Sequence, residues 1–149
     1  MSASRNAHPR IVVGVDGSAP SIAALRWAVG HAELSAGVVN AVIAWESGAR
    51  GGGRRLALAP GIDDAGHAEL AAKTLSAAIA DVSPPPDVRV NQLVVEGSAG
   101  EVLLSAAQNA DLLVVGHSGH GGFASALMGS VSIRCLHHAS CPVVVVRGA

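Results

Sequence analysis

Five short runs, four of them almost entirely apolar, alternate with segments of helical character, and this alternation most constrains the fold. Strands that are apolar on both faces are typical of a parallel sheet, because helices cover both sides of such a sheet. The predicted strands are Ile11–Val15, Val38–Trp45, Val88–Val95, Leu112–Val115 and Val143–Val146, and the predicted helices are Ser21–Ser35, Asp63–Val82, Ser98–Gln108 and Ser130–His138. The sequence therefore predicts an α/β fold, a five-stranded parallel open sheet with helices on both faces.

Local signals indicate where individual helices begin and end. Pro20 stands in the first turn of the first predicted helix, where proline is tolerated, and Gly37 marks a natural stop after it. Ser98, followed three residues later by Glu101, predicts a capping box at the start of the third helix. These signals agree with the element boundaries that the apolar pattern predicts.

The composition excludes several classes of protein. Half of the 149 residues are hydrophobic and 14% are charged, so we expect one domain over residues 1–149, with a flexible tail at 1–9 and a mobile loop at 46–61. A net charge of −1 and 2% aromatic residues are not typical of a nucleic-acid-binding surface. The sequence contains no signal peptide, no stretch long enough to cross a membrane and no disulfide framework. We therefore expect a cytoplasmic protein without nucleic-acid or membrane partners.

A glycine-rich turn after the fourth predicted strand is the strongest functional signal. Gly116 is followed after two residues by Gly119, and after nine more by Gly129-Ser130, where a helix is predicted to begin. Glycines let a ligand approach the backbone, and the amides and dipole at a helix start favour an anion. Asp16 follows the first strand, and the carboxyl ends of parallel strands share one edge, so Asp16 is expected to face the same crevice. The pattern predicts a phosphate-binding site.

Two familiar phosphate-binding loops do not match this turn. A Walker loop ends in Gly-Lys-Ser/Thr, but the only lysine of the chain, Lys73, follows two alanines. Residues 119–124 match the GxGxxA dinucleotide fingerprint, but they follow the fourth strand, and no acidic residue lies about 20 residues later to hold a ribose. We therefore interpret the second match as accidental.

The complete spacing from Gly116 to Ser130 resembles the nucleotide motif of the ATP-binding class of universal stress proteins. The resemblance extends over nearly the whole chain and is carried by residues 11–18, 95–97, 101–104, 121–123, 129–132 and 141–146. It implies an adenine nucleotide alpha hydrolase-like, Rossmann-like fold with strand order 3-2-1-4-5. It also implies that the ligand is ATP, with Mg²⁺ held through the phosphates.

The resemblance further implies which residues contact ATP. Asp16 would bond adenine or ribose, Gly14 would lie beneath the nucleotide, and Ala44 would contact adenine through its backbone. Gly116 and Gly119 would cradle ribose and phosphates, and the start of the fourth helix would hold the β- and γ-phosphates. The implied contact residues are Gly14, Asp16, Ala44, Val115, Gly116, Gly119, Gly129, Ser130, Val131 and Ser132.

Several polar residues near this motif support more than one interpretation. Asp16 would serve equally well as the residue that closes an Asx turn in Asp-Gly-Ser. His117 and Ser118 stand at variable positions of the motif, and His117 is either a pH-dependent donor to phosphate or an exposed loop histidine. Arg54 and Arg55 are either groups that cover the triphosphate or solvated loop charges.

Two clusters elsewhere in the chain are interpreted as structural. The negative charges of Asp63 and Asp64 suit the start of the second helix better than acid–base chemistry. A second cluster, Cys135, His137, His138 and Cys141, lacks a zinc-finger spacing, so we expect no metal site there. The motif offers no evident general base, and no catalytic residue is predicted.

The last predicted strand, Val143–Val146, is apolar on both faces and would expose an unpaired edge at the end of the sheet. The family that the chain resembles pairs this strand across a two-fold axis, so we expect a homodimer. The expected function is that of an ATP-binding regulatory dimer in stress adaptation, acting on an unidentified protein partner. The alternatives are a slow nucleotide hydrolase, self-phosphorylation at Ser130 or Ser132, and a structural dimer without nucleotide.

Overall fold

Strands and helices alternate along the chain in the computed structural model, which describes residues 8–47, 63–118 and 129–147. The elements are β1 (Arg10–Gly14), α1 (Ala19–Ser35), β2 (Val38–Trp45), α2 (Asp64–Val82), β3 (Arg89–Glu96), α3 (Ala99–Ala106), a 3₁₀ turn (Ala107–Asn109), β4 (Leu112–Gly116), α4 (Ser130–His138) and β5 (Val143–Val146). The predicted strands and helices are all present, with small shifts at their ends. The predictions of a tail and a mobile loop fall mostly on residues outside the described ranges.

The five strands form one parallel sheet in the order β3-β2-β1-β4-β5, which confirms the predicted order. β1 pairs with β2 on one side and with β4 on the other. The strand order therefore reverses between β1 and β4, since β2 and β3 lie on one side of β1 and β4 and β5 lie on the other. In open α/β sheets this reversal opens a crevice at the carboxyl ends of the strands. The fold therefore creates a site beside Gly14 and Gly116, where β1 and β4 end.

The sheet separates two buried aliphatic clusters. The larger cluster lies beneath α1 and α2 and includes Ile11, Leu25 and Leu75. The smaller cluster lies beneath α3 and α4 and includes Leu113 and Cys135. Helices therefore cover both faces, as predicted. No helix in the described ranges is both long and apolar enough to span a membrane.

Two predicted helix signals are confirmed in position but not in detail. Ser98 is the N-cap residue of α3, but its side chain makes no capping hydrogen bond, and the Glu101 carboxylate lies 3.8 Å from the Arg134 guanidinium on α4. α1 ends just before Gly37, whose amide donates to the Ala32 carbonyl at 2.9 Å, but the residue in the left-handed conformation is Ala36, with φ of 60°. Gly37 is needed for another reason, since a Cβ there would lie 2.9 Å from the Pro9 carbonyl oxygen.

Candidate functional site

A cavity of about 340 Å³ opens at the carboxyl ends of the strands, where the order reverses. Its walls are the ends of β1, β2 and β4 and the amino-terminal turns of α3 and α4. The lining residues are Gly14, Val15, Asp16, Ser21, Val42, Ala44, Ala99, Leu103, Val115, Gly116, Ser118, Gly129, Ser130, Val131 and Ser132. The volume is within the range of small-molecule sites, roughly 300–1,000 Å³.

The cavity brings together every implied contact residue that the structure describes. These are Gly14, Asp16, Ala44, Val115, Gly116, Gly129, Ser130, Val131 and Ser132. Gly119 lies outside the described residues, as do Arg54 and Arg55. Residues that the sequence did not single out, such as Ala99 and Leu103 of α3, complete the wall. No local motif marks them, because they reach the site through the packing of α3 on the sheet.

The glycines at the ends of β1 and β4 have packing roles that the sequence did not reveal. A Cβ on Gly116 would lie 2.7 Å from the backbone carbon and oxygen of Pro20, so the first turn of α1 lies directly against the strand. A Cβ on Gly14 would lie 2.6 Å from a methyl group of Leu103. Both glycines therefore allow close approach of a helix to the sheet, whether or not a ligand is present.

Asp16 forms the Asx turn that was one of the two interpretations of its sequence context. Its Oδ1 accepts hydrogen bonds from the Ser18 amide at 2.9 Å and from the Ser18 hydroxyl at 2.5 Å, which is an Asx turn. The Ser18 hydroxyl in turn accepts from the Ser21 amide at 3.3 Å and caps α1. The turn thus fixes the carboxylate at the wall of the cavity, where it is the one charged side chain among the described lining residues.

The amino-terminal end of α4 forms the opposite wall. Gly129 is the extended N-cap residue, and its carbonyl accepts from the Ile133 amide at 3.1 Å. The amides of Ser130, Val131 and Ser132 belong to the first turn, so helix geometry gives them no acceptor within α4. These donors and the positive end of the helix dipole make this wall suitable for an anion.

His117 contributes its backbone rather than its imidazole to this arrangement. Its amide donates to the Val146 carbonyl at 2.8 Å, and its carbonyl accepts from the Gly129 amide at 2.9 Å. Its side chain is not among the described residues that line the cavity, whereas Ser118 is. The peptide of His117 therefore connects the end of β5 to the start of α4.

The remaining polar candidates serve the fold. Asp63 caps α2, with its Oδ1 accepting from the Gly66 amide at 2.8 Å, and Asp64 accepts from the Ser47 hydroxyl at 3.1 Å. This confirms the prediction that the acidic pair supports a helix start. Burial raises the pKa of the Cys135 thiol, an effect that Arg134 partly offsets. Within residues 8–47, 63–118 and 129–147, no group of three or more His, Cys, Asp or Glu side chains could hold a metal ion.

Known sequences similar to this chain include universal stress proteins of mycobacteria. A universal stress protein of Mycolicibacterium smegmatis is 34% identical over 146 residues, and the match covers 93% of this chain and 48% of the relative. A universal stress protein of Mycobacterium tuberculosis is 33% identical over 141 residues, covering 94% of this chain and 46% of the relative. The chain spans about half the length of the curated relatives it matches.

Solved structures with the same fold share less sequence with the chain. A universal stress protein from Lactobacillus plantarum superposes with a TM-score of 0.74 at 21% identity, covering 94% of this chain and 98% of that one. A universal stress protein in complex with cAMP has a TM-score of 0.61 at 24% identity, with 95% and 98% covered. The Archaeoglobus fulgidus protein in complex with dAMP has a TM-score of 0.62 at 19% identity, with 94% and 98% covered.

The family assignment rests on a match along almost the whole chain. The sequence model described as "Universal stress protein family" matches residues 8–147. This range contains every described strand and helix. The chain therefore belongs to the universal stress protein family.

Proposed function

We propose that this chain binds an adenine nucleotide, ATP with Mg²⁺, in the cavity at the strand-order reversal. The observation that carries the proposal is the amino-terminal turn of α4, whose residues line the same cavity as Asp16 and the end of β2 and whose amides have no acceptor within the helix. An anion-binding wall opposite a wall with a carboxylate and apolar residues suits a molecule with phosphates at one end and a nucleoside at the other.

Each wall corresponds to one part of the nucleotide. Ala44 and Asp16 are placed to meet the adenine and ribose, whose amine and hydroxyl groups donate hydrogen bonds. The first turn of α4, with Ser130 and Val131, takes the phosphates. Related proteins support the ligand class, since solved universal stress proteins carry cAMP, dAMP and, in Arabidopsis thaliana, AMP.

The side chains of the cavity suit a magnesium ion that arrives with the phosphates. Mg²⁺ keeps several waters and binds through one or two carboxylates together with substrate phosphates. The described lining offers the Asp16 carboxylate, which already accepts two hydrogen bonds from Ser18, and the hydroxyls of Ser118 and Ser130. In this proposal Mg²⁺ neutralises phosphate charge, because the described lining contains no cationic side chain.

We further propose a homodimer through β5. This strand is at one edge of the sheet, with its residues half-buried, so one side of its backbone has no partner strand among the described residues. On α4, Arg134 is directed toward α3, and Leu136, two residues later and therefore on the other side of the helix, is 47% exposed. An exposed apolar side chain and an unpaired edge are suited to a second copy of the chain.

The same proposal gives the chain a regulatory role in stress adaptation in the cytoplasm, through an unidentified protein partner. Both cysteines are free thiols, which suits a reducing compartment. Catalysis is not part of the proposal, because the described lining contains no residue placed as a general base other than Asp16, whose Oδ1 is engaged in the Asx turn.

The test is direct binding. One sample of the purified chain is denatured, and the released small molecules are identified by chromatography. A second, folded sample is emptied of ligand and titrated calorimetrically with Mg-ATP, AMP and cAMP. We expect a copurified adenine nucleotide or saturable heat with Mg-ATP at one site per chain. Absence of both results would contradict the proposal. Gel filtration with light scattering tests the dimer separately, and a monomer at about 100 μM would refute that part.

A further inference from the structure

Ser132 is the most buried polar residue of the cavity wall and has a geometry unlike that of its neighbour Ser130. Its side chain is 3% exposed, whereas Ser130 is exposed. The Ser132 hydroxyl donates to the Gly116 carbonyl at 2.5 Å, across 16 residues of sequence. A serine hydroxyl has one proton, so this hydroxyl cannot also donate to a ligand.

The acceptor of this hydrogen bond belongs to a fixed part of the sheet. Gly116 is the last residue of β4 and pairs in register with Val146 of β5. The following amide, that of His117, donates to the Val146 carbonyl at 2.8 Å. The Gly116–His117 segment is therefore held by β5 on one side, and Pro20 lies against Gly116 on another.

The start of α4 is attached to this segment at two points in the described structure. The Gly129 amide donates to the His117 carbonyl, and the Ser132 hydroxyl donates to the Gly116 carbonyl. The bond at Gly129 alone restrains the turn at a single point. The second bond fixes the rotation of the turn, and hence the direction in which the amides of Ser130 and Val131 point.

We propose that Ser132 is a positioning residue of the phosphate site, whose hydroxyl holds the first turn of α4 on the Gly116 carbonyl. It acts on the ligand through the amides of Ser130 and Val131 and does not contact or accept phosphate itself. This inference rests on the proposed nucleotide function for its consequence in binding, but the positioning itself is a property of the empty protein.

The first experiment therefore uses the protein without ligand. Amide hydrogen exchange is measured by NMR in the wild type, Ser132→Ala and Ser132→Cys, the latter keeping the side-chain volume with a weak donor. We expect exchange at the Gly129 and Ile133 amides to become about fivefold faster, because the substitution removes one hydrogen bond. The Ala139 amide donates to the Cys135 carbonyl at the other end of α4. Its exchange rate should stay within about twofold of the wild-type rate, which is the precision of such a comparison.

Ser35→Ala is the matched control. Its hydroxyl donates to the His31 carbonyl at 2.9 Å, so the substitution removes a bond of the same type near the carboxyl end of α1, away from the cavity. We expect Ser35→Ala to leave exchange at Gly129 unchanged. Unchanged exchange at Gly129 in Ser132→Ala would overturn the inference, whatever the protein binds.

The second experiment separates positioning from a general loss of stability. Affinities for adenosine, AMP and Mg-ATP are measured by calorimetry for the wild type and Ser132→Ala. We expect the two phosphorylated ligands to bind about fivefold more weakly to the variant, and adenosine to bind as it does to the wild type. An equal loss for all three ligands would refute a phosphate-specific role. If the wild type binds none of them, the proposed function fails, while hydrogen exchange still decides the role of Ser132.

Discussion

A negative charge at Ser130 should have opposite effects on the stability of α4 and on nucleotide binding. Ser130 is the first residue of α4 and is exposed, so Ser130→Asp requires no repacking. In the empty protein the added carboxylate lies at the positive end of the helix dipole and should stabilise the fold by about 0.3–1 kcal/mol. A phosphate held by the same turn would lie roughly 5 Å from this carboxylate. At that distance Coulomb repulsion costs about 0.8 kcal/mol per unit charge in water and about 3 kcal/mol at an effective dielectric constant of 20.

For each unit of charge on the AMP phosphate, the penalty corresponds to roughly a 4-fold to 200-fold loss of affinity, whereas adenosine is unaffected because it is uncharged. Urea unfolding measures the first effect and calorimetry the second. Ser130→Asn is the control for shape, and Ala65→Asp adds the same charge at the exposed first turn of α2, outside the cavity. Raising the salt concentration should reduce the penalty, since exposed charges are screened over about 10 Å at 0.1 M. Equal AMP affinities of Ser130→Asp and Ser130→Asn would refute the placement of phosphate at α4.

Three further substitutions or conditions test other features of the structure. Ala36→Gly should raise the free energy of unfolding by about 1 kcal/mol in urea titrations, because Ala36 ends α1 with φ of 60°; an unchanged value would contradict the assigned cap. Gly116→Ala should lower it by about 1–3 kcal/mol even without ligand, because its Cβ would lie 2.7 Å from the Pro20 backbone; full stability would show that α1 can move away. Burial raises the pKa of both the Cys135 and the Cys141 thiols, so folded thiols keep protons that unfolded thiols lose above pH 9.0. Stability should therefore fall as the pH rises above 9.0, and Cys135 should resist alkylation until the protein unfolds; a flat profile in urea titrations would contradict these shifts.

The sequence predicted the sheet, its strand order and most of the cavity wall, because these depend on apolar periodicity and on a motif of fixed spacing. The role of Gly116 was less accessible. Its spacing to Gly119 and Gly129 points to a ligand, whereas its contact with Pro20 connects segments almost a hundred residues apart and has no local signal. The same holds for His117, whose importance lies in backbone hydrogen bonds that any residue except proline could make at its amide.

The two helix signals show what a local pattern leaves out. Ser98 is the N-cap residue that the capping box predicts, but its side chain makes no capping bond, and Glu101 lies near Arg134. α1 stops where Gly37 predicts, but Ala36 takes the left-handed conformation, and the close approach of Pro9 requires the glycine. In both cases the local rule located the helix end, whereas the contact with Arg134 or Pro9 comes from a distant segment.

The sheet divides the interior into two sides, and the sequence is selected chiefly for stability on one side and for both stability and ligand binding on the other. The larger cluster beneath α1 and α2 contributes chiefly to stability, whereas the cavity draws most of its wall from the side of α3 and α4. Substitutions in the larger cluster, such as at Leu75, can therefore alter the stability of the protein without altering which ligand it binds. Substitutions at Leu103 or Val115 change both at once, so new ligand preferences are expected to arise on that side, with the opposite side supplying compensating stability.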